Sequence, residues 1–384
     1  MNAAGTPLDP RGAVQTPVII RHVTRRLRIA VNTGGGDAPG LNAVLRAVTL
    51  TALNRGFEVF GIQKGYLGLL DTKYLVPLTS NSVRGITHLG GSILGTNNRG
   101  NPLAIRVVEG GVERYVDVSE QAVTNFRNLG FDGLIAIGGD GSLKIAAGLQ
   151  KKGIPIIGVP KTIDNDLAAT YVTFGFETAV DTATDAIDKL HSTAESHDRV
   201  MVVEVMGRYC GWIALHAGVA GSADVILLPE IPFDFDKICQ KIMQRELDGR
   251  HFSMVVCAEG ALPRDGQITT IEGAIDGREA RLGGIAEKVS SEIAKRTGKE
   301  TRSMVLGHLQ RGGQPTADDR LLSLRYGAAA VRLAEEGRWG TMVAFDPPEM
   351  TAVPLEAALA SMKTVPIECD TVRTARELGI SFGD

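Results

Sequence analysis

Two aspartates and a lysine stand together in the segment PKTIDND, residues 160–166, directly after an apolar run. A carboxylate at the end of a strand can accept the proton of a hydroxyl group, while a neighbouring cation stabilises a phosphoryl group in transfer. We therefore interpret Asp164 as a general base, Thr162 as a hydroxyl ligand, and Asp166 as a group that orients a cation or a metal-bound water. An Asx-rich turn with a purely structural role is the alternative.

Two glycine-rich turns, VNTGGGDAPG at 31–40 and IGGDGS at 137–142, each stand between an apolar run and a predicted helix. Glycine lets backbone N–H groups approach a phosphate, and the helix N-terminus adds a partial positive charge. Asp140 is expected to hold a Mg²⁺ ion that bridges phosphate oxygens, with helix N-capping as the alternative. Asp37 is expected to cap the helix after the first turn. Neither turn matches a P-loop or a dinucleotide-binding GxGxxG pattern.

Histidine, arginine and glutamate side chains bracket further predicted strands. Arginine binds phosphate through a bidentate pair of hydrogen bonds, so such a set suits an anionic sugar phosphate. Taken singly, each of these residues is also explained as a surface charge or a turn residue. The residues are His197, Arg199, Arg208, Glu259, Arg302, His308 and Arg311.

Apolar runs of strand length alternate with amphipathic segments of helical period from Leu27 onward. Clear examples are the strands at 57–63, 154–160 and 199–207 and the helix at 177–196. This alternation predicts an α/β fold of mainly parallel sheets with helices on both faces. Ligands of such folds bind at the carboxyl ends of the strands, which is where the glycine turns and the acidic residues lie.

The composition excludes several classes of protein. The 384-residue chain has a formal net charge of −3, which gives no sign of bulk binding to nucleic acid or to an anionic membrane. No stretch approaches about 18 uninterrupted apolar residues, so we predict no membrane span and a cytoplasmic location. The four cysteines form no CxxC motif and are predicted to be free thiols. Residues 1–26, with three prolines and a surplus of arginine, are predicted to be a flexible tail.

Eight segments between about residue 27 and residue 325 resemble those of the 6-phosphofructokinases of the bacterial type A family. They are GGGDAPGLNAVLRA, KGYLGLL, GGSILGT, IAIGGDGS, PKTIDND, ESHDRVMVVEVMGRYCGW, AEG, and VLGHLQRGG with the following PTADDR. The resemblance implies an enzyme that transfers a phosphoryl group from ATP to the 1-hydroxyl of D-fructose 6-phosphate, with Mg²⁺ as cofactor. The products would be fructose 1,6-bisphosphate and ADP, in the committed step of glycolysis.

The resemblance also implies a role for each matching residue. Asp164 matches the general base, Asp140 the Mg²⁺ ligand, and Glu259 a ligand of a sugar hydroxyl. His308 and Arg311 match ligands of the 6-phosphate. Nucleotide phosphate contacts match Gly36, Gly139, Asp140, Gly141 and Ser142. The remaining substrate contacts match Thr162, Ile163, Met206, Gly207, Arg208, Leu309 and Gln310.

The resemblance implies two similar lobes with the active site in the cleft between them. A nucleotide-binding lobe is expected over 27–175 plus 310–360, and a sugar-phosphate-binding lobe over 176–309 plus 361–384. Arg199 and Arg302 match arginines that reach the 6-phosphate from a neighbouring subunit. A homo-oligomer, usually a tetramer in the family and otherwise a dimer, is therefore expected.

Two positions separate the phosphoryl donors of the family. The resemblance implies glycine at the positions of both Gly141 and Lys161 in ATP users, and aspartate at the first with lysine at the second in pyrophosphate users. This chain combines Gly141 with Lys161. That mixed signature is similar to the mixed-substrate (group III) subgroup in its ATP-using form. We favour ATP because an aspartate at 141 would crowd and repel the α-phosphate side of a nucleotide. Arg99 and Gly100 are expected to contact the donor phosphates.

Three alternatives stay open at this point. Lys161 would suit a pyrophosphate-dependent phosphofructokinase. A catalytically silent sugar-phosphate sensor is the second alternative, against which the intact Asp140 and Asp164 argue. An NAD or lipid kinase with a GGDG loop is the third, but such kinases lack the TIDND and GHLQRGG segments.

Overall fold

The computed structural model describes residues 26–97, 100–109, 112–266, 268–272 and 281–384. The predicted tail therefore lies, except for its last residue, outside the described residues. None of the helices in these ranges combines the length and the apolar character that a membrane crossing needs. All four cysteines are free, as predicted, and three of them are buried.

Fifteen strands and ten α-helices alternate along these ranges. The strands are β1 (Arg28–Thr33), β2 (Glu58–Ile62), β3 (Leu75–Pro77), β4 (Ile105–Glu109), β5 (Val112–Val116), β6 (Gly133–Gly138), β7 (Ile156–Pro160), β8 (Val200–Val205), β9 (Val225–Leu227), β10 (Ser253–Ala258), β11 (Thr270–Glu272), β12 (Arg281–Leu282), β13 (Thr301–Val305), β14 (Thr341–Asp346) and β15 (Glu349–Pro354). The helices are α1 (Leu41–Asn54), α2 (Ser119–Asn128), α3 (Asp140–Lys151), α4 (Phe176–Ser196), α5 (Trp212–Ala220), α6 (Phe235–Leu247), α7 (Ile285–Thr297), α8 (Ala317–Glu335), α9 (Leu355–Ala358) and α10 (Asp370–Glu377).

Two mainly parallel sheets organise these elements, which confirms the predicted α/β class. The first sheet has the order β15-β14-β7-β6-β1-β2-β3, in which only the outermost pairs, β14–β15 and β2–β3, are antiparallel. The second sheet has the order β13-β8-β10-β9 and is parallel throughout. Two short hairpins, β4–β5 and β11–β12, stand apart from both sheets.

Both sheets bury apolar side chains on both faces. Ile29 and Val31 of β1 pack with α1 and α8, whereas Ala30 between them packs with α2 and α3. In the second sheet, Val202 packs with α6 and α7, and Val203 packs with α4 and α5. Successive residues of a strand point to opposite faces, so strands covered on both sides read as continuous apolar runs.

The C-terminal residues complete both sheets. β14 and β15 form one edge of the first sheet although they follow every strand of the second sheet in the sequence. The chain then returns to the second sheet, where Ser381 bridges Val225 of β9 and Phe382 is wholly buried. Between these two contributions the chain forms the short helix α10.

Five helices, α1, α3, α4, α5 and α7, begin directly after a glycine that offers no side-chain cap. At α4, a carboxylate from another helix takes the place of the missing cap. The buried Asp319 of α8 accepts hydrogen bonds from the N–H groups of Gly175 and Thr178, both at 2.8 Å, and from the Thr178 hydroxyl at 2.6 Å. Since α8 packs on the first sheet and α4 on the second, this carboxylate joins the two halves of the molecule.

Glutamates cap two more of these helices in the same manner. Glu204 of β8 accepts from the N–H groups of Gly284 and Ala286 at the start of α7, both at 3.0 Å to Oε2. Glu230 accepts from the N–H group of Gly211 at the start of α5, at 3.0 Å. Each bond satisfies a backbone donor that the helix itself leaves without a partner.

The expected cap of α1 by Asp37 was wrong, and the alternative role of Asp140 as an N-cap is not observed. α1 begins at Leu41 after Gly40 and has no side-chain cap, because Gly40 and Pro39 separate Asp37 from the helix by a turn. Asp140 is the first residue of α3 rather than its N-cap, and its carboxylate accepts from Lys144 one turn later, at 2.7 Å. Neither acid is therefore used to cap its helix.

We predict that Asp319→Asn lowers the free energy of unfolding by about 1–3 kcal/mol, because the amide group would turn donors toward backbone N–H donors in a buried site. Urea unfolding followed by circular dichroism measures the change. Asp318→Asn is the matched control, since Asp318 is the exposed neighbour on the same turn of α8. Equal stabilities of the two variants would contradict this role of Asp319.

Candidate active site

A cavity of about 770 Å³ opens at the carboxyl ends of the strands, between residues that follow the first sheet and residues that follow the second. It brings together twelve of the residues singled out in the sequence. These are Gly36, Gly100, Gly139, Asp140, Gly141, Ser142, Lys161, Thr162, Asp164, Asp166, Arg208 and Arg311.

Asp164 lies in the wall of this cavity and is 5% exposed. Its backbone N–H donates to the Thr162 hydroxyl at 3.1 Å, whereas its buried Oδ1 has no hydrogen-bond partner among the described residues. Burial raises the pKa of the Asp164 carboxyl, and the positive charges of Arg311, Arg208 and Lys161 oppose that rise. A carboxylate oxygen is thus held without a partner beside three cations.

Asp166 lines the same cavity, two residues further along. Its Oδ1 is also buried without a described partner, and burial together with the neighbouring charge of Asp164 raises its pKa to about 6. Between the two acids, Asn165 adopts a left-handed conformation with φ of 52°. Its Oδ1 accepts from the N–H group of Thr173 at 3.2 Å. The loop therefore presents two carboxylates to one space.

The second glycine turn supplies the open N-terminus of α3. Gly139 precedes the helix without a side-chain cap, and the residues of the first turn line the cavity. A Cβ atom built on Gly141 would meet no atom within 4 Å, so the space beside it is free. The N–H group of Gly34 donates to the carbonyl of Ile137 at 2.8 Å, which joins the two glycine turns. Unpaired helix N–H groups facing a cavity favour an anion there.

Lys161 connects the acidic loop to the first glycine turn. Its side chain is 3% exposed, and its ammonium group donates to the carbonyl of Gly36. Burial, with a contribution from the like charge of Arg311, lowers the pKa of Lys161 to about 8. Arg311 in turn donates from Nη1 to the carbonyl of Asp37 at 3.1 Å. Two cations thus lie against the turn that contains Gly36.

Arg208 enters the cavity from the second sheet through a tight turn after β8. Arg208 has φ of 50° and Gly207 φ of 139°, and a Cβ atom on Gly260 would lie 1.9 Å from the carbonyl oxygen of Arg208. The backbone N–H of Arg208 donates to Glu259 Oε1 at 3.1 Å. Burial raises the pKa of Glu259 to about 7. Close packing around Gly260 and the hydrogen bond to Glu259 therefore fix the position of the Arg208 backbone, from which its side chain reaches the cavity.

The other predicted residues lie outside the cavity lining. Ile163 is wholly buried in the core, and the N–H group of Met206 donates to Gln310 Oε1 at 3.3 Å. His308 and Leu309 lie in a 3₁₀ turn over Gly307–Arg311, in which Leu309 is 69% exposed. Arg99 lies outside the described residues.

Arg199 and Arg302 are paired with each other through one acid. Glu300 Oε1 lies 2.8 Å from Arg199 Nη2 and 2.5 Å from Arg302 Nη2. Neither arginine lines the cavity of its own chain. The structure therefore places this pair together but apart from Asp164.

Sequence reasoning missed about half of the lining. The missed residues come mainly from Asn101 to Ile145, including Arg106 and Tyr115, which face each other across the β4–β5 hairpin, and from Met362 near the C-terminus. Nothing in their spacing marks them as site residues. Tyr66, whose hydroxyl donates to the Ser142 carbonyl at 2.8 Å, stands within KGYLGLL, so that segment did carry a signal.

Comparisons with known proteins give a consistent result. The family model described as phosphofructokinase matches residues 28–334. An ATP-dependent 6-phosphofructokinase of Chloroflexus aurantiacus is 52% identical over 366 residues, covering 94% of this chain and 99% of the relative. ATP-dependent 6-phosphofructokinase 2 of Clostridium perfringens is 50% identical over 361 residues, covering 93% of this chain and 98% of the relative.

Solved structures agree with this result. Phosphofructokinase of Pichia pastoris in the T-state superimposes with a TM-score of 0.76 at 31% identity; the match covers 92% of this chain but 37% of that longer chain. A pyrophosphate-dependent phosphofructokinase of Marinobacter aquaeolei, at 23% identity and a TM-score of 0.75, covers 92% of both chains and shares the fold.

The two sheets and the cleft at their carboxyl ends define an α/β protein whose ligand cavity is built from strand-end turns. The family model covers well over half of the chain, and the curated relatives match along nearly their whole length. The chain belongs to the phosphofructokinase family.

Proposed function

We propose that this chain is an ATP-dependent 6-phosphofructokinase, which transfers the γ-phosphoryl group of ATP to the 1-hydroxyl of fructose 6-phosphate. The observation that carries this proposal is the buried carboxylate of Asp164. One of its oxygens lacks a described partner, and Asp164 lines a cavity bounded by two glycine turns and three arginines. The names of the close relatives support the same reaction.

Asp164 acts as the general base in this proposal. A base needs a free oxygen within reach of the hydroxyl whose proton it takes, and its buried Oδ1 meets the first condition. Arg208, Arg311 and Lys161 oppose the effect of burial on the pKa of Asp164, so they favour the charged form that accepts the proton. The same cations suit the negative charge of the phosphates.

The sugar phosphate binds across the cleft in this proposal. The 6-phosphate contacts His308 and Arg311, and Arg208 and Glu259 bind the sugar beside it. Ile163, whose side chain is buried in the core, and Gly207, which has no side chain, contribute through their backbone. The remaining assigned contacts are Thr162, Met206, Leu309 and Gln310.

The donor phosphates bind at the two glycine turns, between Gly36 and the run from Gly139 to Ser142, and Arg99 and Gly100 are further proposed contacts. Asp140 and Asp166 line the same cavity, and Asp166 Oδ1 has no described partner, so their oxygens fit a hard cation such as Mg²⁺. Magnesium in such sites keeps several waters and takes few protein ligands besides phosphate oxygens. When bound, Mg²⁺ would neutralise charge on the β- and γ-phosphates.

We predict that Asp164→Asn lowers kcat by about 10²–10⁴-fold, because the amide cannot accept the hydroxyl proton. A coupled assay with fructose 6-phosphate, ATP and Mg²⁺ measures turnover, and isothermal titration calorimetry measures binding of fructose 6-phosphate, which should persist. Asp188→Asn, on the exposed face of α4, is the control. A fully active Asp164→Asn would rule out the proposed base, and a wild-type chain that binds the sugar without turnover would favour the sensor.

ATP rather than pyrophosphate is the donor in this proposal, as in the ATP-using form of the mixed-substrate (group III) subgroup. The free space beside Gly141 leaves room for the α-phosphate of a nucleotide. The ammonium of Lys161 contacts the carbonyl of Gly36, so a lysine here is compatible with a nucleotide in the cavity. Lys161 is also the observation that favours the second candidate, a pyrophosphate-dependent enzyme.

We predict that Gly141→Asp lowers kcat/KM for ATP by about 100-fold, since placing like charges together costs about 3 kcal/mol. Gly141→Ala adds a side chain without a charge. We expect its kcat/KM for ATP to fall much less, because a Cβ atom at this position meets no atom within 4 Å. Parallel assays with ATP and with pyrophosphate give the measurement. Faster turnover of the wild-type chain with pyrophosphate than with ATP would overturn the donor assignment.

The functional unit in this proposal is a homo-oligomer, a tetramer or a dimer, in which Arg199 and Arg302 complete the 6-phosphate site of a neighbour. β13, which carries Arg302, is an edge strand of the second sheet. Its Met304 and Val305 are 44% and 52% exposed. An exposed apolar edge strand favours pairing with another chain.

We predict that Met304→Asp shifts the protein toward the monomer and raises KM for fructose 6-phosphate, because a charge on the edge strand opposes its burial. Sedimentation velocity and the coupled assay measure the two effects. Met243→Asp on α6 is the matched control, since Met243 is 40% exposed away from this edge. A wild-type chain that is monomeric and fully active at micromolar concentration would contradict the proposal.

A further inference from the structure

The segment from Ser361 to Val365, here called the C-terminal strap, lies against the acidic loop of the cavity. Met362 forms a bridge with Leu167 and also lines the cavity. The backbone N–H of Lys363 donates to the carbonyl of Asp166 at 2.8 Å. The strap thus contacts the loop that carries both carboxylates.

The ammonium group of Lys363 is enclosed by three acceptors of this loop. It donates to Asn165 Oδ1 at 3.2 Å, to the carbonyl of Thr170 at 3.2 Å, and to the carbonyl of Tyr171. A protonated lysine has three N–H donors and no acceptor, so the site matches the donor count of the charged form. The side chain lies 5.4 Å from the ring centroid of Trp212, an arrangement that also favours a cation.

Asn165 is the residue through which Lys363 reaches the acids. A left-handed conformation of a residue other than glycine persists only where its surroundings hold it. The Asn165 side chain is held by Lys363 and by the N–H group of Thr173. Because Asp164 and Asp166 flank Asn165 directly, its backbone conformation determines the directions in which both carboxylates leave the chain.

The second half of the molecule anchors the other side of the strap. Trp212 of α5 donates from Nε1 to the carbonyl of Lys363 at 3.0 Å. The backbone N–H of Val365 donates to Glu230 Oε1 at 2.8 Å, and the same carboxylate caps α5. The strap is therefore bonded to the acidic loop on one side and to the second sheet's helices on the other.

We infer that Lys363 is a positioning residue for phosphoryl transfer, which holds Asn165 and thereby the carboxylates of Asp164 and Asp166 in their productive orientation. This inference rests on the proposed function. It assigns the C-terminal strap a part in turnover, although Lys363 lies about two hundred residues beyond the acids in sequence and touches neither carboxylate in the contacts above.

Lys363→Met tests the inference, because methionine keeps the length and the apolar stem and removes the ammonium group. We expect kcat with fructose 6-phosphate and Mg-ATP to fall by roughly 10- to 100-fold, since small displacements of catalytic groups have effects of this size. KM for fructose 6-phosphate should stay unchanged, because Arg208, Arg311 and His308 are untouched. Lys363→Arg keeps a cation with N–H donors, so we expect it to retain more activity than Lys363→Met.

A double-mutant cycle tests whether Lys363 acts on the carboxylates through the side chain of Asn165. If Lys363 acts through the Asn165 side chain, Lys363→Met combined with Asn165→Ala falls no further in kcat than the Asn165→Ala single variant. Independent, additive losses would overturn that route. Lys152→Met is the control for the loss of a lysine elsewhere in the fold. Lys152 follows the C-terminal end of α3 and pairs with Asp117 and Glu120, so its loss should leave kcat unchanged.

Three outcomes overturn the inference while leaving the proposed function intact. They are unchanged kcat in Lys363→Met, a rise in KM without a fall in kcat, and equal losses in Lys363→Met and Lys152→Met. If Lys363→Met does not fold, Trp212→Phe removes the hydrogen bond to the strap and shrinks the ring beside the Lys363 ammonium group, and full activity of that variant would overturn the inference. A wild-type chain without turnover would instead overturn the proposed function.

Discussion

The rest of the structure depends on how helix N-termini that follow glycine are satisfied. Glycine permits the tight turn from a strand into a helix but offers no capping side chain. At α4, α5 and α7 a carboxylate from a different element supplies the missing acceptor. At α3 no such carboxylate is present among the described residues, and the first turn faces the cavity instead. The same local sequence pattern thus produces a capped helix at three places and an uncapped helix N-terminus that lines the cavity at a fourth.

The acidic loop buries two carboxylates in the wall of one cavity. The charge of Asp164 helps to raise the pKa of Asp166, and three cations oppose the effect of burial on the pKa of Asp164. None of those cations takes the free Oδ1 of either acid as a hydrogen-bond partner in the described contacts. The attraction between these charges is therefore present while Asp164 Oδ1 keeps no hydrogen-bond partner among the described contacts. The ammonium group of Lys161 donates to the carbonyl of Gly36.

Much of the fold and part of the site could be predicted from the sequence. Strands buried on both faces, such as β6 and β7, are continuous apolar runs, and the glycine and acid clusters at their ends mark the site. Caps were harder to predict, because Asp319 lies 141 residues from Thr178, to which it bonds. Lys363 and Tyr115 escaped notice for the same reason: their partners are determined by the path of the chain in space, and neither stands in a motif.

The order of the strands has a consequence for how the protein is made. The first sheet needs β14, which leaves the ribosome only after every strand of the second sheet, and the second sheet needs Ser381 and Phe382 near the end of the chain. Domains that are continuous in sequence can fold one after another during synthesis. Here neither sheet can be completed in that way, so a nascent chain exposes unfinished sheet edges until β14 and the segment around Ser381 have emerged. The cavity likewise needs Met362, so it cannot be complete before both sheets have most of their strands.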